Sequence, residues 1–229
     1  MKKILLFLYL STFIGMQLKA QEAVETDSDT LFYSVKPSAE GKLKIGVSLG
    51  IQASLLSGGE SSMALPIIGI TGGTTLRYNF AKKFTFQPAI SIGFKGSRFN
   101  RTEPDYYNSL KLLYLEAPIQ FFYTYQQQSK NQVGVGFYYA ELINASLSSN
   151  SGSLVSNQTK LPIQEFDFGG IASWQLKFSF FHLQTSYKVG LSNINNGQAW
   201  PAGDNASIIK PTNKGGSFYN QTISLQLIF

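Results

Sequence analysis

Seven ionisable side chains occupy positions that an alternating residue pattern places on one face of the chain. They are Lys44, Arg77, Lys95, Glu116, Asp167, His182 and Lys188. Charged groups enclosed together must be paired or must line water, so the chemistry open to them is that of buried ion pairs. We predict that Glu116 accepts hydrogen bonds from Lys95 or Arg77. Asp167 is predicted to accept from Lys188. A network that only satisfies buried charge is favoured over one that conducts ions or relays protons.

Catalytic and metal chemistry find little support among the remaining residues. The chain has one histidine and no cysteine, which excludes multi-histidine metal sites and thiolate ligands. A Ser-His hydrolase pair is the remaining option, but His182 follows a short predicted turn and faces inward, so a hydrogen-bonded structural histidine is favoured. The glycine pairs at 72–73, 169–170 and 215–216 have neither the Lys-Ser/Thr sequence nor the helix of a phosphate loop. We therefore expect no catalytic residue, no metal site, no cofactor and no enzymatic activity.

The elements that must position the ionisable residues are β-strands, because apolar residues alternate with small or polar ones in eight segments. In the first, residues 43–55, every odd position is Leu, Ile, Val or Ala, and every even position is Lys, Gly, Ser or Gln. Such a length exceeds the usual soluble strand and suits a tilted membrane strand of about 9–11 residues or more. The other segments are 67–80, 84–99, 110–125, 132–145, 164–176, 179–193 and 218–229.

The connections between these segments alternate in length. The second, fourth and sixth, at 81–83, 126–131 and 177–178, are short, whereas those at 57–66, 100–109, 146–163 and 194–217 are long and polar. Short periplasmic turns alternating with long outer loops are typical of outer-membrane barrels. The sequence therefore predicts an all-β fold, an eight-stranded antiparallel up-and-down transmembrane β-barrel.

A soluble lipocalin-like or sandwich β-protein is the alternative, but it would need a charged second face, and only 14% of the residues are charged. In a barrel, the aromatic residues next to the short turns would form an interfacial girdle. These are Tyr78, Phe80, Phe84, Phe121, Tyr123, Tyr125, Trp174 and Phe181. Eight strands leave a lumen just wide enough for side chains to fill, so we predict a largely plugged interior.

The N-terminal region differs from the strands. Residues 1–20 have a basic start, an apolar stretch and a plausible cleavage point after Ala20, as in an export signal; a membrane anchor is the less favoured alternative. Residues 21–41 are acidic, with little periodicity, and are predicted to be a flexible periplasmic leader. The barrel then spans 42–229. The formal charge of +6 falls to +3 when Lys2, Lys3 and Lys19 leave with the signal, too weak and scattered for nucleic acid.

The C-terminal segment ends on an aromatic residue after a regular alternation. Ile223, Leu225, Leu227 and Phe229 would share one face, and an unpaired strand this apolar would aggregate in water. The pattern is accounted for if this face meets outer-membrane lipid and the strand pairs with the first segment, closing the barrel.

Four short phrases, with the strand order, carry a family resemblance. They are Leu-Glu-Ala-Pro at 115–118, Gly-Val-Gly-Phe-Tyr at 134–138, Asp-Phe-Gly-Gly at 167–170 and Tyr-Lys-Val-Gly-Leu-Ser-Asn at 187–193. With them, nearly the whole mature chain resembles the PorT-like family of small outer-membrane β-barrel proteins of Bacteroidetes. One departure is Glu141, which falls on the predicted lipid face where relatives tend to carry an aromatic. Either it lies at the outer rim or a bulge rotates the strand.

The resemblance implies location in the outer membrane of a Gram-negative cell. It also implies insertion by the barrel assembly machinery, which reads a terminal strand ending in an aromatic, here Ile223, Leu225, Leu227 and Phe229. The founding member is tied to type IX secretion and gliding-type export, whereas most relatives have no assigned role. A non-catalytic structural or interaction role is the primary expectation. The alternative is an accessory component of protein secretion across the outer membrane, with secretion-system proteins as partners.

Overall fold

The alternating segments fold as long antiparallel strands. The computed structural model of the chain describes residues 34–35, 43–58, 64–81, 83–99, 107–126, 131–149, 154–156, 161, 163–196 and 217–229. In this part of the chain every named element is a strand: β1 Ser34–Val35, β2 Leu43–Ser57, β3 Ala64–Ala81, β4 Phe84–Phe99, β5 Tyr107–Gln126, β6 Asn131–Ser149, β7 Leu154–Ser156, β8 Phe166–Lys177, β9 His182–Gly190 and β10 Tyr219–Ile228. Within the same residues, no helix is long and apolar enough to cross a membrane.

Eight of these described strands close into a barrel. Their order around the sheet is β2-β10-β9-β8-β6-β5-β4-β3, and β3 pairs again with β2. At the seam, Leu225 lies opposite Ile51, and the N–H of Phe229 donates to the carbonyl of Val47 at 2.9 Å. Because all these neighbours are antiparallel, the predicted eight-stranded up-and-down barrel is confirmed, including its closure by the terminal strand.

The period of two in the sequence separates an outer face from an inner one. On β2, the outward Leu49 and Ile51 are 58% and 56% exposed, whereas the inward Gln52 and Ser54 are 2% and 1% exposed. Apolar residues face outward on the other long strands as well; the inward residues are mainly polar on β4 and β9, whereas β5 and β6 also carry inward apolar residues such as Leu112 and Leu142. Contiguous apolar surface of this extent is what a lipid environment stabilises and what water does not.

Strand ends differ from the predictions mainly near the loops. β4 begins and ends as predicted. β6 continues to Ser149, and β7 pairs with residues 146–148 near the end of β6. The predicted loop 146–163 therefore starts as a hairpin. β9 is shorter than the predicted 179–193, because the N–H of Phe178 donates to the carbonyl of Phe181 at 2.9 Å and closes a turn. The alternation of Phe and Ser in this turn imitates a strand pattern.

The predicted signal at 1–20 and most of the predicted leader at 21–41 lie outside the described residues. The exception is β1, which falls within the leader range and pairs antiparallel with Leu43 and Lys44 at the start of β2. A short part of the segment before the barrel therefore extends the sheet by one strand.

Glu141 lies on the outward face of β6, opposite Leu115 and Phe166. Phe166 is the first residue of β8, so Glu141 lies near the long-loop end of the barrel. The register between β5 and β6 shifts between Leu113 and Tyr114, which are opposite Asn144 and Leu142. The bulge therefore comes after Glu141 along β6 and does not turn this side chain inward. Of the two predicted explanations, the position near the outer rim accounts for it.

Candidate functional site

Four charged side chains from four strands meet inside the outer half of the barrel. Lys95 Nζ lies 2.6 Å from Glu116 Oε1 and 3.3 Å from Asp167 Oδ2. Lys188 Nζ pairs with the other carboxylate oxygen of Glu116. All four side chains are buried, with at most 3% of any of them exposed. Two ammonium groups and two carboxylates give this group, hereafter the lumenal ion cluster, a net charge of zero.

Asp167 is the most heavily hydrogen-bonded member of the lumenal ion cluster. Besides Lys95, it accepts from Tyr138 OH at 3.0 Å, from Ser192 Oγ at 2.8 Å and from Asn220 Nδ2 at 2.9 Å. A buried carboxylate is tolerated when its lone pairs are satisfied in this way. These contacts join β4, β6, β8, the segment after β9, and β10, so the cluster ties most of the circumference together.

Two tyrosine rings lie against the ammonium group of Lys95. Nζ is 4.4 Å from the centroid of the Tyr138 ring and 5.1 Å from that of Tyr114. A cation over an aromatic face is stabilised by the ring quadrupole, more strongly when water is excluded. The rings therefore replace part of the hydration that Lys95 loses inside the barrel.

The ion pairs differ in part from the predicted ones. Glu116 does contact Lys95, but Lys188 contacts Glu116 rather than its predicted partner Asp167. The reason is the stagger of the barrel: Lys188 lies opposite Ile171, four residues along β8 from Asp167. Asp167 in turn accepts from Lys95, on a strand that is not its sheet neighbour.

The other three predicted residues lie apart from the lumenal ion cluster, at the short-turn end. Arg77 Nη1 is 2.7 Å from His182 Nδ1, and Arg77 Nη2 donates to Gln132 Oε1 at 2.7 Å. Since guanidinium can only donate, Nδ1 of His182 must be the acceptor and carries no proton. Lys44 lies opposite Arg77 in the register of β2 and β3 and is half-buried. The seven predicted residues thus form two groups at different depths.

Hydrogen-bonded glutamine and serine side chains lie between these two groups. Gln87 Nε2 donates to Gln184 Oε1 at 2.9 Å, and Gln184 Nε2 donates to Ser186 Oγ at 2.9 Å. Ser173 Oγ donates to Gln120 Oε1 at 2.5 Å. A cavity of about 20 Å³ remains here, which is room for one water molecule. It is lined by Ser48, Thr75, Gln87, Ala89, Ser91, Pro118, Gln120, Ile171, Gln184, Ser186, Lys188 and Gln226.

An apolar group that was not predicted from the sequence fills the interior at the long-loop end. This apolar cap consists of Leu56, Leu110, Leu112, Leu142, Ala145, Leu161, Ile163, Ile194 and Phe218, all buried. It is continuous with Tyr114, Tyr138 and Ala140 around the ion cluster. The sequence does indicate part of this cap. Leu56 is at an even position, like the other inward residues of β2, and Leu110 and Leu112 are at even positions, like the inward residues of β5.

Backbone hydrogen bonds hold together the segments that carry part of the apolar cap. The N–H of Gln164 donates to the carbonyl of Ile194 at 2.7 Å, and the N–H of Ile194 donates to the carbonyl of Phe218 at 2.9 Å. These residues lie just beyond the ends of β8, β9 and β10. The chain therefore keeps its backbone paired where it leaves the sheet and directs the side chains of Ile194 and Phe218 into the cap.

A closed antiparallel barrel with an apolar exterior and a polar, charge-paired interior defines a class, the small integral β-barrel proteins of the outer membrane. The comparison with family models agrees. The chain belongs to the outer membrane protein beta-barrel domain family, whose model matches residues 20–196. The protein is therefore an outer-membrane protein.

The comparison with curated proteins finds no match. Among solved structures, the chain is similar to the neisserial surface protein A, with 13% identity, 80% of this chain and 95% of that chain covered, and a TM-score of 0.45. It is also similar to Ail, the attachment invasion locus protein of Yersinia pestis, crystallised with the heparin analogue sucrose octasulfate (12% identity, 83% and 100% covered, TM-score 0.40). A third is OprG from Pseudomonas aeruginosa (14% identity, 81% and 95% covered, TM-score 0.38).

Proposed function

We propose that this protein is a non-catalytic outer-membrane barrel of the PorT-like type, which acts through its surfaces and does not conduct solutes. The observation that carries the proposal is the filling of the lumen by side chains at successive depths. The Arg77–His182 group, the glutamine and serine layer, the lumenal ion cluster and the apolar cap follow one another from the short turns to the long loops.

Three of these layers, the ion cluster, the apolar cap and the glutamine and serine layer, oppose the passage of ions or small solutes. The ion cluster has no net charge and its ammonium groups are held by carboxylates, so it offers neither a free charge nor a mobile ligand. The apolar cap above it would have to accommodate water against a hydrophobic lining. The cavity in the glutamine and serine layer holds about one water molecule, which is far too small for a sugar or an amino acid.

Swelling of proteoliposomes tests this proposal. Liposomes that contain the full-length protein are placed in isosmotic arabinose, with a porin at equal density as the positive control. The proposal expects no swelling above protein-free liposomes. Swelling at a rate that scales with the amount of protein would overturn the closed-lumen function.

The PorT-like part of the proposal is supported by where the resembling phrases lie. The phrase at 115–118 contains Glu116, that at 134–138 contains Tyr138, and that at 167–170 contains Asp167. The phrase at 187–193 contains both Lys188 and Ser192. The resembling phrases therefore contain three of the four charged residues of the ion cluster, Glu116, Asp167 and Lys188, which supports the proposal.

The resemblance also supports the second candidate, an accessory role in protein secretion with secretion-system proteins as partners. Deletion of the gene, followed by quantification of exported proteins in the medium and on the surface, distinguishes the two. A structural or interaction role predicts unchanged export with altered envelope properties. Loss of export that is restored by the wild-type gene would favour the secretion role.

Targeting and assembly are proposed to follow the sequence signals. Residues 1–20 would direct export and be cleaved, and 21–41 would remain as a periplasmic leader. The terminal strand would be the segment that the barrel assembly machinery reads. Its residues Ile223, Leu225, Leu227 and Phe229 all face outward and are between 37% and 57% exposed. Mass spectrometry of the N-terminus of the membrane-extracted protein tests the cleavage: a chain that retains residues 1–20 would contradict it.

A further inference from the structure

The turn between β8 and β9 is unusually apolar for a periplasmic turn. It contains Phe178, Phe180 and Phe181, and the side chains of Phe178 and Phe180 are 44% and 69% exposed. By contrast, the described residue in the turn between β3 and β4 is the exposed Lys83. Phenylalanine has no polar atom that water could satisfy, so surface of this kind marks a contact with lipid or protein.

The phenylalanine rings pack on one another and on the end of the chain. Phe178 and Phe181 are stacked with centroids 4.6 Å apart and an angle of 17° between the rings, and Phe180 lies 5.2 Å from Phe181. Phe181 in turn lies 6.4 Å from the ring of Phe229, the last residue. The apolar surface of the turn is therefore continuous with the lipid-facing side of β10.

Aromatic residues lie on four of the other strands at this level, while β6 presents Val133. Phe80 and Phe84 lie 6.0 Å apart, Phe84 and Tyr123 lie 5.3 Å apart, and Trp174 Nε1 donates to Tyr125 at 3.3 Å. These residues belong to β3, β4, β5 and β8. At the same end, the outward residues of β9, β10 and β2 are aliphatic, for example Leu183, Leu227 and Leu43, until Phe229 is reached. The girdle of the strands thus has a gap on the side where the turn lies.

We propose that turn 178–181 is inserted in the inner leaflet of the outer membrane, at the boundary between phospholipid headgroups and acyl chains. Its phenylalanine rings complete the girdle where β9, β10 and β2 supply aliphatic residues. Three observations select lipid as the occupant: the continuity of the stacked rings with the lipid-facing β10, the position of the turn at the level of the girdle, and the absence of a charged residue between Phe178 and Phe181. An interfacial segment of this kind is buried by about 5–10 Å.

Tryptophan fluorescence in phospholipid vesicles tests the proposal. Trp174 and Trp200 are first replaced by Phe, and the folded state of the barrel is verified by its heat-modifiable migration on a gel. Phe180→Trp is then introduced, and Lys83→Trp in the same background serves as the matched control at another turn. Emission spectra are recorded with unlabelled phospholipids and with phospholipids brominated near the headgroup end of the acyl chain.

The expected result is a blue-shifted emission for Phe180→Trp and at least twofold stronger quenching by brominated lipid than for Lys83→Trp. Water-like emission without quenching at both positions would place the turn in water, outside the lipid, and overturn the proposal. Blue-shifted emission that brominated lipid does not quench would show that protein, such as a second copy, covers the rings, and this also overturns it.

Discussion

Glu116→Gln replaces a carboxylate oxygen by an amide NH2 group. It thereby removes the carboxylate that contacts both lysines of the lumenal ion cluster. Its two oxygens pair with Lys95 at 2.6 Å and with Lys188. In the variant, Asp167 alone remains against two buried ammonium groups, so the cluster carries a net charge of +1. Removal of one partner from a buried ion pair costs about 3–5 kcal/mol, and we expect a loss of unfolding free energy in this range.

Urea unfolding of the barrel in phospholipid vesicles, followed by tryptophan fluorescence, measures this loss. Glu141→Gln is the matched control, because it makes the same chemical change on the outward face near the rim. Acidic residues near the interface alter stability by less than about 1 kcal/mol. Adding Lys188→Met to Glu116→Gln restores neutrality, with Lys95 and Asp167 left as a pair, and should recover most of the lost free energy.

The reasoning is refuted if Glu116→Gln costs no more than Glu141→Gln, since the buried pairs would then contribute nothing to stability. It is also refuted if the added Lys188→Met deepens the loss. That outcome would mean that side-chain packing around Lys188, rather than charge balance, determines the energy of the cluster.

Three further predictions concern the cap, the sheet and the terminal residue. Leu112→Ala removes a side chain that is 0% exposed within the apolar cap and should cost about 2–5 kcal/mol of unfolding free energy; Leu49→Ala on the lipid face should cost clearly less in the same urea titration. Gly136→Val would place Cβ against the carbonyl oxygen of Ile119, closer than van der Waals contact allows, and we expect loss of the heat-modifiable folded band on gels. Phe229→Ala leaves the strand register in place but removes the terminal aromatic. The folded fraction in cells should therefore fall, while refolding into vesicles in vitro persists. Equal losses in both assays would argue against an assembly signal.

The fold could be predicted because the barrel repeats one simple pattern. A membrane strand has two unlike faces, and the period of two in residues 43–55 shows this directly. Alternating connection lengths then fixed the up-and-down order. The pattern could not locate the start of β9, because Phe178, Phe180 and the serine between them alternate as a strand would. Only the backbone hydrogen bond from Phe178 to Phe181 distinguishes a turn there.

The site could be predicted less completely. The alternation of apolar and polar positions along each strand placed four charged residues inside, namely Lys95, Glu116, Asp167 and Lys188. Their contacts, however, depend on the stagger between strands. That stagger brings Lys95 of β4 to Asp167 of β8 across the lumen, and nothing in either strand alone encodes it. The apolar cap could not be predicted for a different reason: Leu161, Ile163 and Ile194 lie beyond the ends of the strands, in segments predicted as loops, although Ile194 continues the even inward parity of β9.

The central claim is that side chains close the lumen of this outer-membrane barrel. Single-channel recording of the purified protein in a planar lipid bilayer tests it most directly. The closed lumen predicts current no greater than that of the bare bilayer across the voltage range in which the bilayer is stable. Steady conductance steps from the wild-type protein, at the nanosiemens scale of an open pore, would contradict it.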